Sequence, residues 1–338
     1  MTVLEELLAK VAITIDGAVL LGKTVACDGF RYDRSVGVVS HAHLDHLTDL
    51  ESALGFYDPV VMSKPTWELI RVIKGEAFAL HNNAVALDYR TTLPVGNESV
   101  TLYPCNHMLG ASQVLVQNSD DTRIVYTGDF NSPGTEILKA KVLVVDSTFG
   151  SPRCDFNRKD RKFAMERMVE TIEQKLLLGA VTVLGRRGQI QEVMAMLRSE
   201  GVETPFLASN TDVGIARVYE NFGKTTGEVL STETPQGKLL LKNRAGYVGF
   251  FPIATGEWAS SGTFVVEITA HHALGPIQST KRGMKVGITD HADFKSILKY
   301  VKASGAQLVV TNNFSGQGEL LADELKERLG VETVALPR

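Results

Sequence analysis

Apolar residues recur along this chain in two rhythms. Val36-Gly37-Val38-Val39-Ser40 is a compact apolar run, Ser99-Val100-Thr101-Leu102 alternates, and Arg123–Thr127 and Lys141–Val145 also read as strands. Up to about residue 150 strands outnumber helical patterns. From Asn157 the pattern changes. Phe163, Met165, Met168, Val169 and Ile172 fall at helical spacing, and Ala180–Leu184 follows as a strand. A helix from Gln189 to Leu197 and a short strand at Phe206-Leu207 come next. The tail repeats the rhythm with strand Val286-Gly287-Ile288, helix Phe294–Val301, strand Gln307–Val310 and helix Glu319–Leu329. Strand–helix–strand order of this kind predicts parallel α/β units. No internal repeat or low-complexity linker interrupts it.

With 338 residues, 44% of them hydrophobic, the chain can bury one large core or two modest ones. Its formal net charge of −4 excludes an arm that coats nucleic acid by bulk charge, so any polyanion must meet a local basic patch. No apolar run approaches the ~18 residues of a membrane-spanning helix. The start, Met1–Glu6, lacks a basic region followed by an apolar stretch, so no signal peptide is expected. Cys27, Cys105 and Cys154 are far apart and form no CxxC, which fits a cytoplasmic, reducing setting.

The chemistry concentrates in Ser40-His41-Ala42-His43-Leu44-Asp45-His46, directly after a strand. At strand-like spacing His41 and His43 point the same way and can grip one ion of zinc type. Asp45 and His46 lie on the turn beyond and can reach a second. A surface turn with chance histidines is the bland alternative, but three of the chain's eight histidines stand here. His107 follows a strand and precedes a glycine turn, and Asp129 follows Gly128 at another strand end. Alone, each would read as a structural histidine and a turn cap. In this order they complete a metal site in which Asp129 bridges.

His-x-His-x-Asp-His, then a lone His, then Gly-Asp, all at strand ends, resembles the metallo-β-lactamase fold. That resemblance implies an α/β architecture, a four-layer αββα sandwich with metals at its edge, and makes Asp28 a support for the metal loop rather than a ligand. Asp146-Ser147-Thr148-Phe149-Gly150, Gly185-Arg186-Arg187-Gly188-Gln189 and Asp290-His291-Ala292-Asp293 resemble, in order, motifs of the β-CASP nucleases within that fold. By resemblance, residues 1–152 and 286–338 are the lactamase domain and 153–285 an inserted α/β cassette. The insert would then lie as a lid over the metal edge, with single-stranded DNA or RNA threading beneath it. Asn106-His107, Asp146 rather than Glu, and Val310-Thr311-Asn312-Asn313-Phe314 in place of a late histidine look like the DNA branch, the Artemis and crosslink-repair nucleases.

The resemblance implies a metal-dependent hydrolysis of phosphodiesters, with a DNA 5′-exonuclease favoured over an RNA-processing endo- or exoribonuclease. A small-molecule metallo-hydrolase and a non-catalytic nucleic-acid scaffold are the rivals. One tight zinc ion on His41, His43, His107 and Asp129 is expected, with a weaker second ion (zinc, manganese or magnesium) at Asp45, His46 and Asp129, since Asn312 or Asn313 offers only an amide oxygen. His291 is the expected proton donor to the leaving oxygen, oriented by Asp146, and Asp45 joins them as a catalytic candidate. Arg153, Arg186 and Arg187 are the expected phosphate contacts, Arg186 and Arg187 because they precede a helix N-terminus. Arg158, Lys159, Arg161, Lys162, Lys281, Arg282 and Lys285 are further basic candidates. His81, His271, His272, Cys105, Trp67 and Trp258 read as structural or packing residues, though Trp258 could stack a base. A homodimer and a repair or processing partner both stay open.

Overall fold

The computed structural model describes residues 2–155, 158–244, 246–253, 263–270 and 276–338, without the side chains of 158–160 and 315. Trp258, His271 and His272 lie outside the described residues. The chain forms two compact units, Met1–Asp155 with His291–Arg338, and Phe156–Asp290.

The first unit holds two sheets. One runs in sequence order through β1 (Val11–Ile13), β2 (Val19–Leu21), β3 (Val25–Cys27), β4 (Val36–Val38), β5 (Val60–Ser63) and β6 (Ala84–Leu87). Its first three strands are antiparallel, and β3 to β6 are parallel. The other contains β7 (Thr92–Val95), β8 (Glu98–Pro104), β9 (Ser112–Asn118), β10 (Arg123–Tyr126) and β11 (Val142–Val145). Strands Leu308–Asn312 and Glu332–Leu336 extend it beyond β11 in parallel.

Period-two alternation decides the layers. Val100, Leu102, Val114, Val116, Ile124, Tyr126, Val142 and Val144 turn one face of the second sheet onto Val19, Leu21, Val25, Val38 and Val61 of the first. The intervening residues Leu115, Val125, Leu143 and Val145 turn the other face onto Ile297, Tyr300 and Val301 of helix Phe294–Ser304 and onto Leu321 and Leu325 of helix Gly318–Leu329. Helix Lys64–Lys74 lies on β5 and β6, burying Leu69 and Ile70. Helix, sheet, sheet and helix stack as the αββα sandwich that the histidine motifs imply.

The second unit has a seven-stranded sheet in the order Val229–Ser231, Phe206–Ala208, Val248–Pro252, Val181–Gly185, Phe264–Thr269, Gly283–Gly287, Ile277–Thr280. Every pair is parallel except the last. Met168 and Ile172 of helix Arg158–Leu176 and Ile190 of helix Gln189–Ser199 pack with Val181, Val183, Phe206, Phe250 and Val266. Gly283–Gly287 pairs with Phe264–Thr269 across its whole length, so this unit keeps the chain to Asp290, beyond the border expected at 285/286. Among the described residues no helix is long and apolar enough to cross a membrane.

A buried carboxylate ties the sheets of the first unit together. Glu98, at the start of β8, accepts from the backbone N–H groups of Lys23 (2.9 Å) and Thr24 (3.0 Å), between β2 and β3. The Thr24 hydroxyl donates to it as well, at 2.5 Å. Glu98→Ala strands these donors and is expected to cost about 2–3 kcal/mol. Urea unfolding of the variant checks this, and an unchanged midpoint would show that the clasp is idle.

Candidate metal centre

Chain geometry brings five strand ends to one point. Asp28 stands just past β3 with φ 55°, a left-handed conformation that Asp tolerates better than most residues. There its carboxylate takes Ser40 N–H (2.7 Å), Ser40 Oγ–H (2.6 Å), His46 Nδ1 (2.9 Å) and the Tyr126 hydroxyl (3.1 Å). Ser40 spends its one hydroxyl proton on Asp28, so toward His41 Nδ1 (2.9 Å) its oxygen accepts. The proton of His41 is thereby held at Nδ1, and Nε2 presents a lone pair to the site.

Asp129 approaches from the end of β10 because of Gly128. That residue has φ +56°, and a Cβ on it would meet the Ser112 carbonyl oxygen at 2.8 Å. His107 leaves the end of β8 in a turn closed by Gly110, whose carbonyl accepts from Ser63 Oγ (2.7 Å) and Thr66 Oγ1 (2.9 Å).

The ligand atoms of His41, His43, His107 and Asp129 all lie within 4.8 Å of one another, and the three imidazoles are buried. His43 Nδ1 is 3.0 Å from both His41 Nε2 and His107 Nε2. Imidazole nitrogens and a carboxylate turned inward at this spacing fit a borderline divalent cation. Asp129 also faces His46 Nε2 at 3.3 Å and His291 Nε2 at 3.8 Å. His291 Nδ1 in turn bonds Asp146 Oδ2 at 2.8 Å. The N–H and hydroxyl of Thr148 donate to the other Asp146 oxygen at 2.8 and 2.7 Å.

The electrostatics follow from this crowding. Burial holds the His41 pKa well below its ordinary value, helped by His46, His107 and His43 and opposed by Asp129. Burial pushes His46 the same way, but the Asp129 and Asp28 carboxylates outweigh it and lift His46 well above the ordinary value. Burial would raise Asp129, yet His46, His291 and His41 hold it well below the usual carboxylate range. The centre is thus an anionic Asp129 ringed by imidazoles, with neutral His41 ready to ligate.

Of the sequence-derived candidates, His41, His43, His46, His107, Asp129, Asp146, His291 and Asp28 meet here. Asp45 does not join the convergent groups; it is exposed on the short 3-10 turn Leu44–Leu47. The two candidate asparagines cap the turn after strand Leu308–Asn312. Asn312 Oδ1 accepts from Phe314 N–H (3.0 Å) and Asn313 Oδ1 from Glu319 N–H (3.3 Å). In the second unit, Arg187 Nε donates to fully buried Asp212 at 2.9 Å, which engages it inside that unit. Arg186 is exposed with no ion partner among the described residues, and Arg153 is exposed in the first unit. Lys162 pairs with Glu166 and Lys285 with Glu267, while the side chains of Arg158 and Lys159 are outside the described set. Sequence reasoning missed Ser40, Tyr126 and Thr148. Only Ser40, adjacent to the histidine motif, carried a local signal.

Residues 35–176 match the family model described as "Beta-lactamase superfamily domain". An uncharacterized protein encoded beside a lig gene in Acidianus ambivalens is 36% identical over 138 residues, 39% of this chain and 97% of that one. A probable DNA ligase of Opitutus terrae is 25% identical over 88% of this chain and 28% of its own length. A probable RNase of Methanocaldococcus jannaschii is 23% identical over 69% of this chain and 61% of its own. The chain thus spans less than two thirds of the latter two. A crystal structure of a protein of unknown function from Enterococcus faecalis shares the fold, with TM-score 0.63 and 17% identity over 92% of this chain and 81% of that one. The chain belongs to the metallo-β-lactamase superfamily and, within it, to the β-CASP nuclease family of metal-dependent hydrolases.

Asp28→Asn disturbs the carboxylate that orients His46 and, through Ser40, His41. It is expected to weaken zinc or manganese binding about 10- to 100-fold, measured by metal titration of the folded variant. Undiminished affinity would show that these hydrogen bonds do not position the ligands.

Proposed function

We propose that this chain is a metal-dependent nuclease that hydrolyses phosphodiesters of single-stranded nucleic acid. DNA attacked from its 5′ end is the preferred substrate, yielding a 5′-phosphate and a 3′-hydroxyl. The observation that carries this reading is the convergence of His41, His43, His107 and Asp129 beside a His291–Asp146 pair that faces the same carboxylate. His41, His43, His107 and Asp129 are assigned to a tight zinc ion. A weaker second ion, zinc, manganese or magnesium, is assigned to Asp129 with His46, which faces it at 3.3 Å, and without Asp45, which is exposed outside the convergent group.

A divalent cation held by these residues would supply a nucleophile from water at neutral pH and would take up charge on the phosphate oxygens. The remaining requirement is a proton for the leaving alkoxide. Asp146 fixes the Nδ1 side of His291 and stabilises its charged form, which leaves Nε2 toward the site to deliver that proton. Arg186 and Arg153 are the exposed cations assigned to backbone phosphates.

The DNA preference is supported by the strand end at Asn312, where both asparagine amides cap backbone and the sequence carries no histidine after His291. It is also supported by the ligase relative, which matches 88% of this chain. The RNase relative favours the second reading, an RNA-processing endo- or 5′-exoribonuclease.

Matched 5′-phosphorylated DNA and RNA strands, end-labelled and digested with zinc or manganese, separate these readings. A stepwise 5′ ladder on DNA is the expected result, whereas faster RNA cleavage reverses the preference and intact strands of both kinds remove the activity. His291→Ala is expected to lower kcat about 100- to 10,000-fold at unchanged metal content. Unchanged turnover removes His291 from the proton transfer.

A further inference from the structure

Two residues beyond Asp28, the chain exposes a group of rings. Phe30 packs edge-on against Tyr32 (centroids 4.8 Å apart) and Phe56 (5.4 Å), and Tyr32 packs edge-on against Phe56 (5.4 Å). Behind them Tyr57 is buried, with its ring 5.2 Å from Phe30. Its hydroxyl accepts from Arg31 N–H (2.6 Å) and donates to the Arg31 carbonyl (2.9 Å), which clamps the segment. Despite this fixed packing, Tyr32 is 79% exposed and Phe56 51%. The Arg31 guanidinium is half exposed and meets Asp33 only at 3.9 Å, too long for a hydrogen bond.

Phe30 adjoins the metal centre along the chain, and Phe56 meets Phe30 from the far end of a seven-residue helix. Phe30 follows Asp28, and two residues span at most about 7 Å. Phe56 ends helix Leu50–Phe56, which begins just after the turn carrying His46. We propose that Phe30, Tyr32 and Phe56 form a stacking platform for unpaired bases of the nucleic-acid strand, with Arg31 on an adjacent phosphate. The proposal rests on the nuclease reading and extends its site by a few nucleotides.

Unpaired bases are the occupant that fits. Every base offers a π-face, so exposed rings beside a cation hold a strand without reading its sequence. The clamp at Tyr57 fixes the rings beforehand, so little freedom is lost on binding. Because Tyr32 is mostly in solvent, its truncation leaves the core intact.

The test measures binding of a cleavage-resistant phosphorothioate strand with metal present. Tyr32→Ala and Phe56→Ala are each expected to weaken binding about 5- to 100-fold, while Tyr32→Phe retains it. An abasic nucleotide is then walked along the strand. The native protein should lose affinity at one register, and Tyr32→Ala should be indifferent to the missing base there. Equal binding by Tyr32→Ala, or a loss uncoupled from the abasic position, overturns the platform. So does a dimer that Tyr32→Ala dissociates while strand binding persists, which would give the rings to a second copy of this chain. If the native protein cleaves strands but Tyr32→Ala binds like native, the platform alone fails. If the native protein neither binds nor cleaves, both readings fail together.

Discussion

The centre depends on the Asp28 carboxylate. Four donors from three elements end on it, and each fixes something different. The backbone bond from Ser40 sets where the histidine loop leaves β4. The Ser40 hydroxyl fixes the tautomer of His41, His46 is aimed at Asp129, and Tyr126 joins the two sheets beneath the site. A buried carboxylate without such donors would cost several kcal/mol, so the donors and the acid require one another. The left-handed backbone at Asp28 makes sense in this light, since it turns the carboxylate inward at the end of a strand.

The chemistry was more legible in the sequence than the scaffold. Histidines are few, and the spacing of His41, His43 and His46 after an apolar run gave a local signal for a ligand loop. His107, Asp129, Asp146 and His291 became informative only in order, because each alone is compatible with an ordinary cap. The strands at β8, β10 and β11, and the helices Phe294–Ser304 and Gly318–Leu329, were readable from strong periodicity. The three-residue strands β1 to β3 were not, since a run that short carries no period. Helix Asn210–Asn221 was also missed, although Ser209 caps it through Asp212 N–H. Cross-chain hydrogen bonds such as Tyr126 to Asp28 have no local trace, because they depend on sheet register.

Arg187 shows the limit of charge patterning. The Arg186-Arg187 pair reads as one basic feature, yet the two side chains do different things. A buried acid on a neighbouring helix takes Arg187, and Arg186 stays in solvent. A pair of adjacent cations in a turn therefore divides by which of them points toward the core, and composition alone does not reveal that division.

The contact between Asp146 and His291 spans 145 positions of sequence. The two partners are separated by an entire unit with its own core. During synthesis the ribosome must complete that intervening unit before His291 emerges. Strand Leu308–Asn312, the neighbour that covers β11, appears later still. Until then the half-built sandwich has an open sheet edge and an unfinished centre. A nascent chain thus carries His41, His43, His107 and Asp129 long before it carries the imidazole that Asp146 holds.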